Sequence, residues 1–221
     1  MKNRIIISVL GFFVAGSMLL HSCTKNDDNT IALIGTEYYV DDILSVIPDS
    51  LQTQFLAEFG SIPSGYVPPK IEGSYVMDPK LRVSSNVEVW PLQIQEPNMY
   101  FRFSGQQNGL IEMTLNESIE TVTDTVFVCG SGNAFAVYVI EEKAYEIVIN
   151  NQTYHARMKR GVIMKGQVVA DGLKDFRYAT IIMETEDDSN GQIGQYGNGS
   201  YFIYRDGDGI AKIRIGKTVK R

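Results

Sequence analysis

Gly65-Tyr66-Val67-Pro68-Pro69-Lys70-Ile71-Glu72-Gly73-Ser74-Tyr75 divides the chain into two unlike parts. Two adjacent prolines hold φ at about −65° and remove two backbone donors, and Val67 ahead of them is pushed into extended geometry. A helix cannot cross Pro68-Pro69, so upstream structure ends there. Ile71 opens an extended run in which Gly73 lacks a Cβ. An interior strand glycine marks close backbone approach or a sharp bend, as at a barrel corner. Tyr75, two residues on, shares the face of Gly73 because strand side chains alternate.

Downstream of this stretch the apolar period is two. Met99, Phe101 and Phe103 oppose Tyr100 and Arg102, and Ile111, Met113 and Leu115 oppose Glu112 and Thr114. Phe135, Val137 and Val139 alternate with Ala136, Tyr138 and Ile140. Further runs cover 122–129, 145–149, 154–164, 168–170, 176–183, 201–204 and 210–215, making about a dozen strand-like segments. The breaks between them, such as Gln106–Asn108, Asn150-Asn151 and Asp206–Gly209, have hairpin length. None is long enough for a parallel crossover helix, so the reading is antiparallel all-β. A meander that closes on itself removes its exposed edges, and this predicts a β-barrel over residues 71–216, with a two-sheet β-sandwich as the alternative. Residues 217–221 form a tail.

Upstream, 38–70 reads as a helical lead-in ending in the Pro-Pro linker. Leu51, Phe55 and Phe59 recur every fourth residue as one apolar stripe, with Asp49 or Ser50 as the N-cap and Gly60 as the stop. The expected role of this helix is a lid or plug on the β core.

Residues 1–22 carry a basic start at Lys2 and Arg4 and an uncharged apolar run from Ile5 to Leu20. That run is short for a hydrocarbon core needing about 20 residues, which suits a signal peptide better than a span. Leu20-His21-Ser22-Cys23 resembles a bacterial lipobox, and the resemblance implies that Cys23 is lipidated and becomes the first mature residue. The hydrophilic Thr24-Lys25-Asn26-Asp27-Asp28-Asn29 lies in a tether, residues 23–37. It is similar to the post-cysteine signal of surface lipoproteins in Bacteroidota-type bacteria, implying outer-membrane anchoring at the cell surface, with the periplasmic leaflet as the alternative.

Charge bounds the partners. Removing residues 1–22 takes Lys2 and Arg4 from the 20 basic residues and none of the 26 acidic ones, leaving a net charge of −8. This excludes an electrostatic grip on nucleic acid or anionic lipid, so the membrane is held through the N-terminal lipid. With Cys23 acylated, Cys129 has no intrachain thiol partner.

A short helix followed by Gly73-Ser74-Tyr75 and a meander resembles the lipocalin and fatty-acid-binding (calycin) layout. Those families carry Gly-x-Trp on the first strand, where this chain has Tyr75, and a helix that closes one barrel end. They also place a late basic residue across the aromatic ring, and the resemblance implies Arg214 for that part. The Pro-Pro-x-Ile-Glu-Gly-x-Tyr wording and Asp206-Gly207-Asp208-Gly209 resemble Bacteroidota lipoproteins with lipocalin-like barrels.

Catalytic and metal constellations are not evident. His155 is the one histidine beyond residue 22, and no Gly-x-Ser-x-Gly elbow accompanies it. His155 and Cys129 alone cannot make up the usual His/Cys zinc sets. Asp206–Gly209 would need a glutamate where an EF-hand loop closes, and Lys217 stands there; a tight turn explains the same letters. Cys129-Gly130-Ser131-Gly132-Asn133 joins two strands and opens no helix, which argues against a phosphate cradle. No cofactor is implied. The expected function is a non-enzymatic binding module for a small molecule, polar or apolar. The alternatives are an interaction subunit with a filled barrel and, behind both, a glycan-directed hydrolase.

Overall fold

The computed structural model describes residues 40–41, 43–87, 92, 95–117, 120–149, 152–186 and 197–214. Helical residues at 40–41 and 43–45 and a helix, α1 (Asp49–Phe59), precede eleven strands among the described residues: β1 (Gly73–Met77), β2 (Lys80–Ser85), β3 (Gln95–Glu96), β4 (Met99–Gln107), β5 (Leu110–Glu117), β6 (Glu120–Ser131), β7 (Ala134–Ile149), β8 (Gln152–Val169), β9 (Gly172–Glu186), β10 (Tyr201–Asp206) and β11 (Ile210–Ile213). Every ladder is antiparallel.

Three pairs of these segments are halves of single strands. Met77 faces Met99 and Lys80 faces Glu96, so β1–β2 advances as β3–β4 retreats, with no change of register. Likewise β10 and β11 both pair with β9 on one side, and with β2 and β1 on the other. The result is a closed, eight-stranded antiparallel meander barrel in which the last strand pairs with the first. A closed ring replaces the sandwich alternative. Asp206–Gly209, expected as a hairpin, is instead an in-line bulge between β10 and β11. Asp78-Pro79 and Pro97-Asn98 break the neighbouring strands at the same level, where prolines without N–H groups interrupt the ladders.

Alternation sorts the side chains into two cores. Tyr75, Met77, Phe101, Phe103, Phe176 and Tyr178 are among the buried residues filling the lumen. Phe101 stacks on Phe176 at 4.7 Å between centroids and Tyr75 stacks on Phe101 at 5.5 Å. The second core lies outside the barrel wall. There Phe55, Phe59, Ile43 and Ile47 pack on the outward residues Ala136, Tyr138, Ile163, Ala179, Ile181 and Ile203.

The helix therefore covers the outer wall of β7–β10 and does not plug an end. The cause is visible locally, because both faces of these strands are apolar and the outer one needs a cover. Ile43 reaches the wall over Gly161, where a Cβ would come within 2.7 Å of its Cγ1. The α1 cap is Pro48, not Asp49 or Ser50, and no side chain caps it. At the other end the Arg177 guanidinium donates to the Glu58 carbonyl and Lys165 Nζ donates to the Ser61 carbonyl at 2.6 Å. These cations sit at the negative pole of the helix dipole.

Candidate functional site

We call the end of the barrel at Gly73, Ser131 and Ala134 the lower end, and the end at Ser85, Glu96 and Glu141 the upper end. The lower lumen is aromatic. The upper lumen carries charge at positions that alternation points inward. Arg82 faces Tyr204 across the β2–β10 ladder, and Lys80 faces Glu96 across β2–β3. Lys80 Nζ lies 3.0 Å from Glu96 Oε2, and Arg82 Nη2 bonds the other oxygen of the same carboxylate. Lys80 also stands 4.6 Å from the Tyr204 ring centroid, and the Arg82 guanidinium 5.7 Å from Phe202. These cation–π contacts replace part of the hydration lost on burial.

A second pair stands across the same end. Arg160 lies on β8 between the lumenal residues Met158 and Val162, and its Nε bonds Glu141 Oε1 on β7. Their side chains are 8% and 9% exposed. A buried charge without its partner is strongly penalised, so each pair is held by its desolvation as much as by its attraction.

The wall beside Glu141 is open. The β6–β7 ladder runs from Ser131↔Ala134 to Phe127↔Tyr138 and stops there. Above that point β6 pairs only with β5, and β7 only with β8, among the described residues. Thr123, Asp124 and Thr125 are all exposed, although Asp124 sits opposite the lumenal Met113. Three consecutive exposed residues mean solvent on both faces of β6 at this height.

A groove of about 230 Å³ at this end is lined by Glu142, Ala144, Arg157, Met158, Lys159, Glu184 and Glu186. Register puts Glu142, Lys159 and Glu184 in one cross-strand row and Ala144, Arg157 and Glu186 in the next. Lys159 stands between two carboxylates, so this is a charge ladder across three strands.

The residues singled out from sequence fall elsewhere. Gly73 has φ 156°, and a Cβ on it would meet the Tyr75 hydroxyl at 3.0 Å. Tyr75 is buried, its ring folds back over Gly73, and its hydroxyl donates to the Ile71 carbonyl at 3.0 Å. Burial pushes that hydroxyl's pKa up. Arg214 does not serve the Tyr75 ring. Its guanidinium lies 4.5 Å from the centroid of Tyr100, while its N–H donates to the Ser74 carbonyl at 2.7 Å. Ile213 is the residue opposite Tyr75, so alternation turns the next residue outward onto Tyr100. Cys23 lies outside the described residues.

Cys129 is buried, donates to the Pro63 carbonyl at 3.2 Å, and its thiol pKa is pushed up by burial. His155 is exposed on β8. Asp206 accepts the Asp78 N–H at 3.0 Å and the Asp208 N–H at 3.1 Å, which is how the in-line bulge is pinned. Burial and the adjacent Asp208 carboxylate raise the Asp206 pKa to about 6, and hydrogen bonds from Asp206 and Lys212 lower that of Asp208 to about 2.

Lys80, Arg82, Glu96, Glu141 and Arg160 were not singled out from sequence, although Arg160 carried a signal: a charge on the apolar parity between Met158 and Val162. Among the described residues no three His, Cys, Asp or Glu side chains converge as metal ligands, and no helix is long and apolar enough to cross a membrane. Comparison with protein-family models, with curated proteins and with solved structures gives no match.

Proposed function

We propose that this chain is a membrane-tethered interaction protein: a filled β-barrel, displayed on the outer membrane through a lipid on Cys23, that engages partners with its wall and upper rim. The observation that carries this reading is the lumen. Stacked Tyr75, Phe101, Phe176 and Phe135 occupy its lower part, and paired charges occupy its upper part. A carrier lumen keeps several hundred Å³ free for a ligand, whereas side chains of this size use the space for packing. The acidic balance of the chain after residue 22 supports partners that are neutral or basic.

A second reading, a small-molecule site at the upper mouth, draws on the aromatic rings of Phe202 and Tyr204 beside Lys80 and Arg82. Titration with a fluorescent long-chain fatty acid separates the two. The interaction reading expects no saturable uptake, and stoichiometric binding quenched by the lumenal tyrosines would overturn it. For the anchor, Cys23→Ala is expected to move the protein from the membrane to the soluble fraction, and unchanged membrane retention would contradict it.

A further inference from the structure

We infer that the open upper wall between β6 and β7 is an acceptor slot for an extended, basic polypeptide strand from a partner. The ladder stops at Phe127↔Tyr138, yet both strands continue upward as regular strands, β6 to Glu120 and β7 to Ile149. Each thus presents a row of backbone donors and acceptors on its slot side with no strand against it among the described residues. Bare edges of this kind are templates for strand addition, in which main-chain hydrogen bonds give affinity and alternate side chains give specificity.

The chemistry of the occupant follows from the register. Continuing the closed ladder would set Val126 level with Val139, Thr125 with Ile140, Asp124 with Glu141, and Thr123 with Glu142. Val126 and Val139 are buried in the lumenal core, so an inward side chain at that depth is apolar. Asp124 is exposed, its Oδ1 accepts the Thr125 N–H at 2.7 Å, and no cation pairs with it among the described residues. Glu142 is exposed on the outer face at the next level, where the one cation in its row, Lys159, is shared with Glu184. Glu141, by contrast, is already bonded to Arg160. A strand laid here therefore carries one apolar residue and, two and three positions on, two basic ones. Acidic residues at a bare edge also repel unselected strands, which makes the charge both gate and specificity element.

The inference rests on the interaction-module reading for its biological sense, but the two fail separately. Saturable fatty-acid uptake sinks the module reading, whereas the slot is tested by peptides. The probe is a capped peptide of Val-Thr-Lys-Lys repeats, titrated by fluorescence anisotropy against the full chain in detergent, with a Val-Thr-Glu-Glu counterpart and a backbone N-methylated Lys version as controls. The expected result is saturable binding of the Lys peptide alone, with new amide protection confined to 120–126 and 139–142. Reversing the rim with Asp124→Lys and Glu142→Lys, both exposed and so harmless to the core, is expected to weaken it about tenfold or more, equivalent to about 1.4 kcal/mol. Absence of binding, equal binding of the N-methylated peptide, indifference to the charge reversal, or protection elsewhere would each overturn the slot. So would self-association of the chain through the same amides.

Discussion

The two ends of the barrel obey different rules. At the lower end every neighbouring strand is paired, Tyr75 lies back over Gly73, and the rings of Phe101, Phe176 and Phe135 fill the lumen in a row. At the upper end the β6–β7 ladder is open, and the lumenal positions are taken by Lys80, Arg82, Glu96, Arg160 and Glu141. The charges at the open end are buried but each is paired, whereas a charge among the rings below would find no such partner. The lesson is that ladder closure and lumenal polarity are coupled. Where the sheet stops sealing, hydrocarbon gives way to ion pairs.

The largest effect should come from the sealed end. Phe176→Ala removes a ring packed between Phe101 and Phe135, and a loss of about 3–5 kcal/mol is expected in urea unfolding. A loss under about 1 kcal/mol would mean that the lower lumen relaxes freely.

The open end should respond differently. Glu141→Ala takes the carboxylate from the buried Arg160 guanidinium, at a cost of about 3 kcal/mol, whereas Glu141→Leu combined with Arg160→Met should recover most of that loss. Equal costs for the single and double variants would show that the pair is not desolvated.

Gly73→Ala is expected to cost about 1–3 kcal/mol, since alanine meets both an unfavourable φ and the Tyr75 ring. Full stability of this variant would show that the ring does not need to fold back.

The smallest effect is a pH slope at the bulge between the two ends. The unfolded Asp206 carboxyl ionises near its ordinary 3.8, while the folded one keeps its proton to about 6. Across that window the unfolded chain binds fewer protons, so stability falls as pH rises from 3.8 to 6. Asp206→Asn should flatten this slope in denaturant melts at several pH values, and an unchanged slope would assign it to another group.

Much of this architecture was legible in the residues. Period-two runs such as Met99-Phe101-Phe103 report a strand with one buried face, and their succession without helical spacers reports a meander. The in-line character of β10–β11 was not legible, because Asp-Gly-Asp-Gly serves a hairpin and a bulge equally well, and only the partner strand decides between them. The helix position was misread from analogy, although Ala136, Tyr138 and Ile140 alternating with Phe135, Val137 and Val139 already described a strand covered on both faces. Arg160 between Met158 and Val162 announced a buried charge, but its partner Glu141 lies one strand away and depends on a register that sequence does not state. The open β6–β7 wall left no local mark at all, since Thr123, Asp124 and Thr125 read as an ordinary polar strand.

Native-state hydrogen exchange of individual amides tests the coupling of closure and polarity most directly. Amides of 128–131 and 134–138 should exchange only through global unfolding, while slot-facing amides of 121–126 and 139–142 exchange orders of magnitude faster at the same pH. Uniform slow exchange along the full length of β6 and β7 would mean that the wall is sealed from end to end, and the account would fail.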